Sequence, residues 1–198
     1  MKEIVGTIAV LLTFVGYVPY VRDTIRGKTK PHIYSWLLWG FVTISAWGLQ
    51  ISDKAGPGSW VTLAAALVCF VIFFFGLRQG QKDITKSDTI FFALALVALI
   101  TWLFARQPVL SVVLLSLTDI LGFIPTLRKS WNKPYTETLF SYVLNTLRFA
   151  LSIYALQRYT IITSLYPLTW VVANGLFSLT LVIRRKQLGS NPDALPQS

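Results

Sequence analysis

Two ionisable side chains, Asp119 and Arg148, sit deep inside apolar stretches of a 198-residue chain that is 54% hydrophobic and only 13% charged. Each lies about ten residues from the ends of its apolar run, which at about 1.5 Å per helical residue sets both near the middle of a membrane. A charge at that depth costs at least about 2.5–3.5 kcal/mol, so it has to face the protein interior and find partners. Two chemistries fit. In one, Arg148 grips an anionic group such as a carboxylate while Asp119 takes up and releases a proton. In the other, the two form a permanent ion pair that locks two helices together. The sequence leaves both open.

The surroundings of Arg148 are polar in a helical pattern. Ser141, Asn145, Arg148 and Ser152 fall at i, i+4, i+7 and i+11, which is one face of a helix. In the next apolar run Trp170 and Asn174 stand one turn apart. Asn, Arg and Ser on one face suit hydrogen bonding to a polar solute, with Trp170 as a stacking wall. The plainer reading is polar packing between helices, worth about 1 kcal/mol per contact. Catalysis lacks players. There is no Ser–His–acid set and no nucleophile elbow, and with one histidine and one cysteine (Cys69, mid-run) no metal site or disulfide framework can be built. The chain reads as a non-enzyme without cofactor or metal.

The elements that must position these residues are membrane helices. A mean hydropathy of +0.60 exceeds what a soluble core of this length needs. Seven runs are long enough to cross a hydrocarbon layer: 4–21, 33–51, 59–77, 88–105, 109–127, 138–157 and 160–183. The Met-Lys start imitates a signal peptide, but no small-residue cleavage site comes after it, so the first run is read as a span. Of the basic residues outside the spans, thirteen lie in the first, third and fifth loops and the C-terminal end, against four in the N-terminus and the other loops. Basic loops stay cytoplasmic, which predicts the N-terminus outside and the C-terminus inside. The net charge of +10 is thereby explained by topology and anionic headgroups, without nucleic acid.

A repeat organises the spans. "GYVPYVR" at 16–22 returns as "GFIPTLR" at 122–128, an offset of 106 residues. The same offset aligns Leu11 with Leu117, Ser35 with Ser141, Leu38 with Leu144 and Arg78 with Arg184. It also aligns the aromatics Tyr17 with Phe123 and Trp36 with Tyr142, and sets Trp39 opposite Asn145, so Trp39 is a candidate to face the same cavity from the other repeat. Three spans plus one connector return the chain to its starting side, so the two copies have the same orientation. The predicted fold is an all-α membrane protein of seven transmembrane helices. Two parallel triple-helix bundles, 4–86 and 108–186, are joined by a linker helix at 87–107 and trailed by a disordered tail at 187–198.

This 3+1+3 plan resembles the SWEET, SemiSWEET and PQ-loop superfamily, on the helix prolines Pro19 and Pro125 and the Ser35-Trp36 and Ser141-Tyr142 pairs beyond the basic loops. The resemblance covers residues 4 to about 186 and implies a central route between the bundles, with Pro19 and Pro125 as hinges in alternating access. The glutamine that usually comes after the proline is replaced by Tyr20 and Thr126. The paired asparagines of sugar carriers survive once, as Asn174, opposite Val68. The resemblance implies transport of a small polar or anionic solute (sugar, amino acid or organic acid), and the expected location is a bacterial plasma membrane. The substrate-binding candidates are Arg148, Asn145, Asn174, Trp170, Trp39 and Ser141, and Asp119 is the proton-coupling candidate. The alternative is a membrane receptor or sorting protein, similar in architecture to the KDEL receptors, that binds a ligand without moving it. Association of copies into a homo-oligomer is left open.

Overall fold

The computed structural model describes residues 1–26, 31, 33–79, 107–132 and 134–189, with scattered residues between 86 and 104. The described part is all-α. Its helices are α1 (Lys2–Ile25), α2 (Ile33–Ser52), α3 (Trp60–Gln79), α4 (Pro108–Asn132), α5 (Leu139–Ala155) and α6 (Ile161–Leu188), with short 3-10 turns at Gly56–Ser59 and Pro134–Thr136. At least four helices are long and apolar enough to cross a membrane: α1, α3 with its preceding turn, α4 and α6. The chain is an integral multi-pass membrane protein. The linker helix expected at 87–107 lies outside the described residues except for scattered positions from 89 to 104, which have helical backbone, and Gln107, which does not; the tail beyond Gly189 lies outside them altogether.

The helices are built inside out relative to a soluble bundle. In α1 the buried positions are Gly6, Ala9, Thr13, Gly16 and Thr24, while Ile4, Ile8, Leu11, Phe14, Val15 and Val18 are exposed. Lipid solvates the large apolar side chains, and the small residues let neighbouring backbones approach. α5 buries Ser141, Asn145, Arg148, Phe149, Ser152 and Ala155, so the polar stripe read from the sequence is the face turned inward.

Three helices run well past the hydropathy limits, α4 reaching Asn132 beyond the expected 127. α1 continues through Pro19 to Ile25, although the apolar run ends at 21. α6 holds Pro167 in its interior and continues to Leu188, past the expected 183 and into the expected tail. Proline removes one backbone bond, here to the Val15 or Thr163 carbonyl, yet packed neighbours hold the helix on either side. Basic residues at the ends, Arg22 in α1 and Arg185 and Lys186 in α6, complement the helix dipole, so the helix outlasts the apolar run. α6 begins at a capping box in which Thr160 and Thr163 satisfy each other's backbone N–H groups.

Each helix packs chiefly on two others, in the cyclic order α1, α3, α2, α4, α6, α5 and back to α1. The ring is shut at the end where α2 and α5 finish. There Asp53 pairs with Arg158 at 2.8 Å and accepts the Thr160 hydroxyl proton, and Gln157 N–H donates to the Ala55 carbonyl at 3.0 Å. Lys2 donates to the Leu156 carbonyl, Ser152 Oγ to the Gly58 carbonyl at 2.6 Å, and Gln50 Nε2 to the Thr163 carbonyl at 3.1 Å.

Candidate functional site

Inside the ring lies a cavity of about 60 Å³. A buried water needs at least about 10–15 Å³ measured this way, so the space takes a handful of waters. Five helices wall it with aromatic side chains: Tyr17 from α1, Trp36 and Trp39 from α2, Phe123 from α4, Phe149 from α5 and Trp170 from α6. The polar lining is concentrated on α5 and α6, in Ser141, Asn145, Arg148, Tyr166 and Asn174. All six residues chosen from the sequence as substrate-binding candidates (Arg148, Asn145, Asn174, Trp170, Trp39 and Ser141) line this one cavity.

Arg148 is 2% exposed, and its partners are neutral. Nε donates to Asn145 Oδ1 at 2.9 Å, Nη1 to Thr13 Oγ1 at 3.0 Å and Nη2 to the Tyr17 hydroxyl at 3.2 Å. The guanidinium also lies 5.0 Å from the Tyr17 ring centre and 4.5 Å from that of Phe149. A guanidinium carries five N–H donors, so two remain beyond these three bonds. Asn145 Nδ2 reaches Asn174 Oδ1 at a long 3.4 Å, and Asn174 Nδ2 donates to the Trp170 carbonyl at 2.7 Å. Ser141 Oγ donates to the Gly16 carbonyl at 3.1 Å, one turn before Pro19.

Asp119 is fully buried and lies behind the wall rather than on it. Its Oδ2 accepts from Trp170 Nε1 at 2.9 Å, and its Oδ1 has no partner among the described residues. The Tyr166 hydroxyl, bonded to Thr43 Oγ1 at 2.8 Å, faces the same carboxylate. The two buried charges thus have separate partners and do not form the mutual ion pair that the sequence left open; the ion pairs among the described residues are Arg22–Asp23 and Asp53–Arg158. The Trp170 ring stands between them, bonded to Asp119 and stacked on Phe149 with centres 6.2 Å apart and planes at 13°.

Trp39 meets Trp170 edge-on at 6.1 Å and Trp36 at 5.2 Å, and its buried Nε1 has no acceptor among the described residues. Pro19 lies inside α1, half-buried and off the cavity wall. Position 125 falls within α4, and the Pro125 side chain is outside the described residues.

Sequence reasoning missed Thr13 and Tyr17, which hold Arg148 from another helix, and Tyr166, Thr43 and Phe149. A signal for part of this existed. Tyr17 and Phe123, Trp36 and Tyr142, and Trp39 and Asn145 are each separated by 106 residues, and all six line the cavity. No family model, curated protein or solved structure matches the chain.

Proposed function

We propose that the chain is a membrane carrier that passes a small polar or anionic solute through the central cavity by alternating access, with no bond made or broken. The observation that carries this reading is a buried guanidinium with spare donors on the wall of a cavity enclosed by helices from both halves of the sequence. Such a charge is expensive to keep in a membrane, and a role toward a passing ligand is a reason to keep it.

The reading takes the chain as seven spans in a 3+1+3 order, with the N-terminus outside and 88–105 as the connector. The ring of helices supports it. Exchanging α1 with α4, α2 with α5 and α3 with α6 leaves the pattern of neighbours unchanged, as a twofold axis along the membrane normal requires. Repeat-related residues also meet in repeat-related ways. A Cβ on Gly16 would stand 3.4 Å from Leu144, and one on Gly122 would stand 3.2 Å from Leu38. In this topology the Asp53–Arg158 end faces outside and is shut. The cavity, far below the about 300–1,000 Å³ of common ligand pockets, is contracted between openings. Pro19 and Pro125 are the hinges of this scheme, as the resemblance to SWEET and PQ-loop proteins implies.

The test is uptake into proteoliposomes. Saturable flux of a solute is expected; ligand binding without flux would leave a receptor in its place. Asp119 is assigned the proton in this scheme, so uptake is expected to depend on a pH gradient and to lose that dependence in Asp119→Asn. Unchanged pH dependence in the variant removes the proton-coupling role.

A further inference from the structure

We infer that the ligand of this cavity is a small organic monocarboxylate with an apolar body, rather than a sugar or an amino acid. The inference deepens the carrier reading and rests on the same site. Arg148 brings one positive charge to the cavity wall, and no aspartate or glutamate is among the lining residues. Asp119 is not among the lining residues and is bonded to Trp170 instead. A buried charge without an opposite partner is strongly disfavoured, and a single negative charge in the cavity supplies that partner. Two negative charges would leave one unmatched.

Hydrogen-bonding chemistry narrows the class further. Two guanidinium N–H of Arg148 are left over beyond its three bonds, on a residue that lines the cavity. A carboxylate is acceptor-only and takes parallel N–H bonds from a guanidinium. A sugar brings several hydroxyls spread around a ring, whereas the polar groups of the wall are concentrated on α5 and α6 and the rest of it is largely aromatic. Ser141 Oγ gives its proton to the Gly16 carbonyl, and Asn145 Oδ1 and Asn174 Oδ1 each already accept one bond, from Arg148 and from Asn145. An amino acid brings an ammonium group that favours a carboxylate, and the lining has none among the described residues. The remaining wall is aromatic and suits a short hydrocarbon body.

Four probes sharing one carbon frame test this on the full-length protein in detergent: butyrate, its neutral isostere butyramide, zwitterionic 2-aminobutyrate and dianionic succinate. Intrinsic fluorescence is the readout, since Trp39 and Trp170 line the cavity. Butyrate is expected to give a saturable change with affinity at least about tenfold tighter than each of the other three, and Arg148→Gln is expected to abolish that preference. Should Arg148→Gln not fold, Arg148→Lys keeps the charge but loses the parallel pair of N–H donors, and is expected to weaken butyrate severalfold while keeping its preference over butyramide. Equal binding of butyramide or 2-aminobutyrate, tighter binding of succinate, full competition by equimolar chloride, or no saturable binding of butyrate overturns the inference. Its failure is separable from that of the carrier reading. Saturable glucose flux without butyrate binding keeps the carrier and rejects the carboxylate, whereas butyrate binding without flux does the reverse.

Discussion

Trp170 is the residue on which both halves of the site's polarity depend. Its N–H is the hydrogen bond that Asp119 accepts, and its ring stacks on the Phe149 ring that lies beside the Arg148 guanidinium. Trp170→Phe keeps most of the wall but removes the donor. A buried acceptor left unsatisfied costs about 1–3 kcal/mol, so chemical unfolding in detergent should register a loss of that order. Asp119→Asn lowers the demand for that donor, so the same substitution in an Asp119→Asn background should cost less. Losses that add to within about 0.3–0.5 kcal/mol would show that the pair is not coupled. The same residues mark the limit of sequence reading at this scale. Ser141, Asn145 and Arg148 were legible because one helix's period puts them on one face. Thr13 and Tyr17, which hold Arg148, are separated from it by 135 and 131 residues. The Trp170 partner of Asp119 is likewise on another helix, and no periodicity links one helix's face to another's.

At the scale of elements, the contacts between halves rest on a repeated glycine. Gly16 of α1 faces Leu144 of α5, and Gly122 of α4 faces Leu38 of α2. The two positions are not equally tolerant. A methyl at Gly16 meets Leu144 at ordinary contact distance, 3.4 Å, whereas one at Gly122 comes within 3.2 Å of both Leu38 and the Trp39 indole nitrogen. Gly→Ala inside a helix gains roughly 0.5–1 kcal/mol in propensity where space allows. Gly16→Ala is therefore expected to be neutral or stabilising in thermal unfolding. Gly122→Ala is expected to lose that gain and to shift the Trp39 wall, visible as altered tryptophan fluorescence. Equal behaviour of the two variants would contradict the asymmetry. The glycines and prolines were visible as a repeat, but the lengths of α1 and α6 were not. Hydropathy falls at the first charged residues, while helical hydrogen bonding continues through Arg22 in α1 and through Arg185 and Lys186 in α6, favoured by the dipole. Pro19 looked like a helix end because proline breaks helices in water; packed against neighbours, α1 runs on for another six residues to Ile25.

For the whole molecule, the closed end makes a statement about access that one native residue can report. Cys69 is the sole cysteine of the chain, is buried, and lines the cavity. A membrane-impermeant maleimide added on the Asp53 side has to pass that end to reach it. Asp53 holds the end near Arg158 and Thr160, and it is 14% exposed against 57% for the arginine. Half-exposed ion pairs are worth about 0.2–1 kcal/mol, and the hydroxyl bond adds about 0.5–1.5 kcal/mol. Removing both changes an open–closed ratio by a factor of about 5–30 for a total of one to two kcal/mol, provided that the open state lacks these contacts. Asp53→Ala should accelerate alkylation of Cys69 from the Asp53 side within that range. Arg158→Ala, which leaves the Thr160 bond in place, should accelerate it less. Adding Arg158→Ala to Asp53→Ala should change little, because the ion pair is already gone. Labelling at the native rate in Asp53→Ala would mean that Asp53 does not keep the cavity shut, and the closure would then have to lie in the backbone contacts from Ala55 to Gln157 and from Gly58 to Ser152.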